Sequence, residues 1–302
     1  MYFSQVWRVG YGPWVIGMDT EMQARQRMVS VILPASNEAA LIGGCLDALL
    51  RSKQPDGYDV EVIVVANGCH DNTAGVAGGY AARAGARGWR LQVIDRAEAG
   101  KPGALNAGDA VAQGALRIYL DADVTISPAL LTQLVAALEA EAPCYASGAV
   151  DITAQGAVSR AYARIWRQVP FMRDVVPGCG LFAVNAAGRR RWERFPKIIA
   201  DDTYVRLLFA PTERRGVPAT YRWPIAEGWR NLVKVRRRQN AGVDEIAKRY
   251  PALIRNEDKP AFPLAEKIRL ALRDPLGFTV YAAVAVAVKA SPHRAQGWSR
   301  GR

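Results

Sequence analysis

The stretch 118-IYLDADVTI-126 decides how the rest of the chain is read. An apolar run ends, two carboxylates stand two positions apart at Asp121 and Asp123, and the chain turns apolar again. The run reads as a buried strand, so the pair lies at its carboxyl end. Two anions that close repel each other, and no basic residue adjoins them in sequence. They are therefore either solvated or matched by something positive that comes to them.

Working outward, β-like runs alternate with helical patterns. "VSVILP" (29–34), "VEVIVVAN" (60–67), "LQVID" (91–95) and "LRIYLDAD" (116–123) read as strands. "EAALIGGCLDALLRS" (38–52), "TAGVAGGYAARAG" (73–85) and "KPGALNAGDAVAQG" (101–114) read as helices, as does "SPALLTQLVAALEAE" (127–141), with Ser127 as N-cap and Pro128 at the first helical position. This order predicts βαβ units in an α/β fold with a mainly parallel sheet flanked by helices. In such sheets a ligand lies beyond the carboxyl ends of the strands. The polar clusters "PASNE", "ANGCHDNT" and "DAD" all fall there. A carboxylate pair in that crevice suits a divalent cation such as Mg²⁺, which takes one or two carboxylates and fills its remaining positions with water and phosphate oxygens. The competing reading is a solvated turn in which Asp123 caps nearby backbone.

Composition sets the limits. The chain has 302 residues, half of them apolar, which excludes a disordered or low-complexity protein. Lys and Arg number 40 against 28 Asp and Glu, a net charge of +12 that points to an anionic partner. Cys45, Cys69, Cys144 and Cys179 form no CxxC pair, and His70 and His293 are the only histidines. That usage excludes a disulfide framework and a His-rich metal site, and suits a reducing, cytoplasmic compartment. Residues 1–27 lack the pattern of a secretory signal and are expected to be a peripheral extension, an over-long assigned start among the explanations.

The stretches "VSVILPASNEAALIGGCLDAL", "VEVIVVANGCHDNTAGVA", "GKPGALNAG" and "IYLDADV" resemble, in order and spacing, the successive motifs of family-2 glycosyltransferases with the GT-A fold. The resemblance covers residues from about 29 to about 240. It implies inverting transfer of a sugar from a nucleotide-diphosphate donor with Mg²⁺ or Mn²⁺. It also implies that Pro34, Ser36 and Glu38 lie along the nucleoside, that Asn67 and Asp71 border the base, and that Lys101 and Asn106 sit near the donor. Asp121 and Asp123 would face ribose and metal, with Asp123 the direct metal ligand. One departure is Ala66, where many members carry an acidic residue that holds the base. Base recognition is then left to backbone groups or to Asn67. His70, a loop histidine with no nucleophile beside it, reads as a hydrogen-bonding surface group.

"PGCGLFAVNAAGRRR" (177–191) resembles the acceptor-side segment, which assigns Gly178 and Gly180 to a turn that approaches the sugar; the alternative is a tight turn before an edge strand. "IIADDTYVRLLF" (198–209) carries Asp201 and Asp202, and by resemblance Asp202 is the general base. Asp201 alone is explained by a helix N-terminus that favours negative charge. The QxxRW motif of polymer-making members is absent from "VKVRRRQN" (233–240), which argues for addition of one sugar. Arg236 and Arg238 are candidates for the diphosphate or an anionic acceptor, unless the run is simply a solvated face.

The expected organisation is a catalytic domain over 28–240, divided into a nucleotide half (28–125) and an acceptor half (126–240), followed by a helical extension and basic tail (241–302). "LAEKIRLALR" (264–273) is amphipathic, and "LGFTVYAAVAVAV" (276–288) is an uncharged run shorter than the ~20 residues that span a bilayer. It reads as a core helix or as an interfacial segment near a lipid-linked acceptor, peripheral on a membrane. The expected partners are a nucleotide-diphosphate sugar and a glycan or lipid-linked acceptor. Nucleic acid is disfavoured, since acidic clusters at the strand ends repel phosphates unless metal-loaded. A nucleotidyltransferase, or a nucleotide-sugar binder without transferase activity, is the alternative.

Overall fold

The computed structural model describes residues 27–290. The chain runs β1 (Met28–Ala35), α1 (Ile42–Leu50), β2 (Asp59–Asn67), α2 (Thr73–Gly78), α3 (Ala81–Gly85), β3 (Arg90–Arg96), α4 (Lys101–Val111), β4 (Leu116–Leu120) and β5 (Thr125–Ile126). Then come α5 (Leu130–Leu138), β6 (Tyr145–Thr153), α6 (Ala157–Trp166), α7 (Pro170–Arg173), β7 (Leu181–Val184), α8 (Ala186–Arg189), α9 (Asp201–Leu207) and β8 (Arg214–Pro224). Last are α10 (Trp229–Arg249), α11 (Leu264–Arg273) and α12 (Pro275–Lys289).

The strands form one eight-stranded sheet in the order β3-β2-β1-β4-β7-β6-β8-β5. The half β3-β2-β1-β4 is parallel throughout. Beyond β4 the sheet is mixed: β7 runs antiparallel to both β4 and β6, β8 pairs parallel with β6, and β5 antiparallel with β8. β1 and β2 are buried on both faces, which is why they read as continuous Val/Ile/Leu runs. Alternate residues serve the two faces. Val31, Leu33, Val62 and Val64 pack with α1 and α5 on one side, while Ile32, Ile63 and Val65 pack with α4, α9 and Ile246 of α10 on the other. A third cluster joins α6, α10 and α12 around Tyr162, Trp166, Leu232 and Val284.

Three local expectations are corrected. Residues 73–85 form two short helices rather than one, since the chain bends at Gly79 and Tyr80, whose hydroxyl donates to the Gly43 carbonyl. The helix after β5 begins at Leu130 rather than after a Ser127 cap, because Ser127 N–H still bonds the Thr220 carbonyl and carries the strand pairing onward. The strand after "PGCG" is interior, not an edge: β7 lies between β4 and β6. The expected extension at 1–27 falls, Arg27 apart, outside the described residues, as does the basic tail 291–302 with His293. Among the described residues no helix is long and apolar enough to cross a membrane.

Candidate functional site

The parallel half presents its loops at one end, where β1 and β2 end side by side and β4 ends shortly before them. The loop after β1 is laced to the loop after β2. Asn37, the one described non-glycine residue with a left-handed backbone (φ 49°), accepts from His70 N–H at 2.6 Å. Glu38 N–H donates to Thr73 Oγ1 at 2.7 Å, and Ala39 N–H to Asp71 Oδ2 at 3.1 Å. Asp71 Oδ1 also accepts from Thr73 N–H. Asp71 therefore shapes the mouth of the crevice from its rim, beside Ser36 and Glu38.

Two residues expected along the donor commit their amides to the protein's own backbone. Asn67, only 2 % exposed, donates to the Ala35 carbonyl at 2.7 Å and accepts from Gly100 N–H at 3.0 Å. It ties the ends of β1 and β2 to the turn that starts α4. Asn106 donates to the Phe195 carbonyl at 3.0 Å and accepts from Phe195 N–H at 2.7 Å. Both amides hold loops in place through these bonds.

Past that rim lies a small pocket that brings together Pro34, Lys101, Asp121, Gly180, Asp201 and Asp202. Lys101, the first residue of α4, follows Gly100 at φ 130°. Its ammonium lies 2.8 Å from Asp121 Oδ1 and 3.1 Å from Asp201 Oδ2. This supplies the positive partner that no sequence neighbour of Asp121 provides. Burial works against the charged lysine, but Asp121, Asp201 and Asp202 together hold its pKa above the usual lysine value. Burial pushes the Asp201 carboxyl up to about 6, with Lys101 pulling it down and Asp202 and Asp121 adding to the rise. Asp202, next in the first turn of α9, accepts from Thr203 N–H at 2.6 Å.

The opposite wall is the turn that leads into β7. Asp121 N–H bonds the Gly180 carbonyl at 2.9 Å, which seams this turn to the end of β4. Gly178 and Gly180 adopt φ of 67° and 74°. A Cβ on Gly178 would come within 1.7 Å of the Tyr145 hydroxyl, and one on Gly180 within 2.7 Å of the Trp223 ring. Glycine is needed here for close approach as well as for backbone freedom. Tyr221 Oη donates to the Cys179 carbonyl at 2.8 Å and holds the turn from below. Burial and Asp202 push the Cys179 thiol up, against the pull of Arg206 and Arg236.

Arg206, on the same helix as Asp201 and Asp202, was not singled out by the sequence. Its guanidinium is 1 % exposed and pairs with Glu257 at 2.5 Å and Asp258 at 2.6 Å, fixing α9 from behind. Nothing in the pattern "DDTYVRLLF" distinguishes it from a surface arginine. Arg236 lies over the Trp166 ring at 5.1 Å and bonds Gln239, while Arg237 bonds the Ala287 carbonyl of α12 and Arg238 is half-buried on the same helix. The basic run is thus packed into the junction of α10 with its neighbours rather than spread as a solvated face.

The residues placed where they could hold a divalent cation are Asp123, in the turn after β4 with Oδ1 shielded from solvent, and Asp121. No group of three or more His, Cys, Asp or Glu among the described residues forms a complete cage. Two carboxylates at the edge of a crevice fit a hard cation that completes its shell with phosphate and water oxygens, and fit Zn²⁺ poorly.

Residues 30–194 match the family model "Glycosyl transferase family 2", more than half of the chain. An uncharacterized glycosyltransferase, EpsJ of Bacillus subtilis, is 34% identical over 107 residues, 35% of this chain and 29% of EpsJ. A dolichyl-phosphate beta-glucosyltransferase of Drosophila melanogaster is 37% identical over 101 residues, 32% of this chain and 30% of that one. The match thus spans less than a third of either relative. Among solved structures, the mannosyltransferase PcManGT from Pyrobaculum calidifontis, in complex with GDP-Man and Mn²⁺, superposes with a TM-score of 0.55 at 23% identity, covering 93% of this chain and 85% of that one. The fold is GT-A.

Proposed function

Because the chain belongs to glycosyl transferase family 2, we propose that it transfers one sugar, with inversion, from a nucleotide-diphosphate sugar to an acceptor hydroxyl. The observation that carries the reading is the arrangement around Lys101. The donor-side carboxylate Asp121 and the α9 pair Asp201 and Asp202 reach one pocket from opposite halves of the sheet. The nucleoside lies along Pro34, Ser36 and Glu38, with the loop at Asp71 as its rim. Lys101 offers its ammonium to the donor. The turn Gly178–Gly180 lets the acceptor approach closely.

An acceptor hydroxyl is a poor nucleophile until its proton leaves as the new bond forms. Asp202 takes that proton. The acceptor oxygen bonds the anomeric carbon, the bond from that carbon to the diphosphate breaks, and a single displacement inverts the centre. Asp201, 3.1 Å from the Lys101 ammonium, orients that lysine rather than acting as base. Asp123, with Asp121 beside it, would hold Mg²⁺ or Mn²⁺, which when bound supplies positive charge against the leaving diphosphate. Arg236 and Arg238 are the candidates to meet the donor's diphosphate or an anionic acceptor. The acceptor is a glycan or lipid-linked, and the enzyme works in the cytoplasm as a non-processive transferase.

Calorimetric titration with UDP, GDP and dTDP, each with Mn²⁺ or with chelator, tests the reading; the fold neighbour that holds GDP-Man and Mn²⁺ motivates the probes. One diphosphate should bind in a metal-dependent way. Asp123→Ala should lose the metal dependence, whereas Asp202→Asn should keep donor binding and lose turnover by about 10²-fold or more. Unchanged Mn²⁺-dependent affinity in Asp123→Ala, or near-normal turnover in Asp202→Asn, would move the respective role to another residue.

A further inference from the structure

The last two helices carry an outward face that packing within the chain does not use. Leu264, Ile268 and Leu272 of α11 are 71, 52 and 78 % exposed, and Leu276 at the start of α12 is 68 % exposed. The first three are spaced by four and form one stripe along α11, while Leu270 on the far side is buried. Large apolar side chains gathered in one stripe mark a contact surface rather than scattered exposure.

The charges beside the stripe are sorted. Both acids of the segment turn inward: Glu266 pairs with Arg173 at 2.6 Å, and Asp274 with Arg164 at 2.6 Å while also capping Gly277 N–H. The cations lie further out: Arg269 is 62 % exposed while its guanidinium also approaches Glu266 at 3.5 Å, and Arg273 and Lys289 are exposed. The outward face is therefore apolar and cationic, its anions withdrawn. A second copy of the chain would bring these cations against each other across a two-fold axis, and like charges oppose that pairing. A negatively charged lipid surface matches both properties.

We propose that this face docks on an anionic phospholipid bilayer, with Leu264, Ile268, Leu272 and Leu276 entering the boundary between headgroups and acyl chains and Arg269 and Arg273 on lipid phosphates. α12 reaches the acceptor half through Tyr281, stacked on Tyr162 at 5.3 Å, so docking sets that half near the membrane. The inference stands on the surface of α11 and α12 and holds whether or not the transfer reaction is as proposed.

The test is flotation of the full chain with phosphatidylcholine vesicles, with and without phosphatidylglycerol, in the absence of any donor. Binding is expected only to the anionic vesicles and should weaken with added salt. Arg269→Glu/Arg273→Glu should reduce it by about fivefold or more, and Ile268→Ser/Leu272→Ser should abolish it. These side chains are exposed, so circular dichroism and thermal melting of both variants should match the parent. Failure to bind anionic vesicles, equal binding to neutral ones, or unaltered binding by both variants overturns the proposal. So does a dimer in light scattering that Ile268→Ser/Leu272→Ser converts to monomer, which would assign the face to a second copy. Loss of binding on deletion of residues 1–26 with the α11 variants unimpaired would likewise overturn it.

Discussion

The two halves of the sheet build their walls of the crevice by different means. On the parallel side, hydrogen bonds without any ion pair join loops that leave adjacent strands: Asn67 to Ala35 and Gly100, Glu38 to Thr73, His70 to Asn37, and Ala39 to the Asp71 carboxylate. On the mixed side, charge holds the parts together: Lys101 to Asp201, and buried Arg206 to Glu257 and Asp258. The first kind follows from the topology, since parallel neighbours end side by side. The second depends on residues distant in sequence and far less replaceable one at a time. Lys101 belongs to both, starting a helix of the parallel side and reaching across to α9.

The sharpest way to break this contrast is to remove the bridge. Lys101→Met leaves Asp121 and Asp201 facing each other with Asp202 nearby, and should cost about 3–5 kcal/mol in denaturant unfolding. Asp201→Asn in that background should recover part of the loss. Next comes the turn on the mixed side. Gly178→Ala combines a left-handed backbone with a collision against Tyr145 and should cost about 2–4 kcal/mol; Tyr145→Phe should relieve most of the collision, the ring carbon staying at 2.9 Å, but not the backbone component. On the parallel side Asn67→Ala should cost less, about 1–3 kcal/mol, because one neutral amide is lost and no charge is left unpaired. A loss there equal to that of Lys101→Met would erase the distinction between the halves.

The smallest effect concerns pH. The hydrogen bond from Arg164, then that from Gly277 N–H, holds the Asp274 carboxyl below the usual aspartate range. A depressed folded pKa means that the stabilisation is present above the unfolded value, near 4, and is lost as pH falls through the folded one. The carboxyl is partly exposed, so thermal melting should show at most a few tenths of a kcal/mol between pH 6 and pH 3 from this group, absent in Asp274→Asn.

Legibility in the sequence follows the same division. Buried parallel strands announce themselves as unbroken Val and Ile runs, and the polar cluster after each one marks the end of the sheet at which Pro34, Asp71 and Asp121 lie. Periodicity could not show that Asn67 and Asn106 turn their amides inward, because a strand-end asparagine looks the same whether it bonds a ligand or a carbonyl. The Lys101–Asp201 pair spans the fold and leaves no local trace. Arg206 carries no pattern of its own, and its burial depends on Glu257 and Asp258 folding back beneath α9. The break at Gly79 and the late start of α5 came from tertiary contacts that override local helix signals.

The bond between Asp121 N–H and the Gly180 carbonyl has a further consequence. It joins the end of β4 to the turn before β7, although the stretch between them contributes β5 and the interior strand β6 to the same sheet. The parallel and mixed halves are thus tied by a direct backbone bond at the crevice itself, so a displacement of the Gly178–Gly180 turn is passed to Asp121 without any side chain to absorb it.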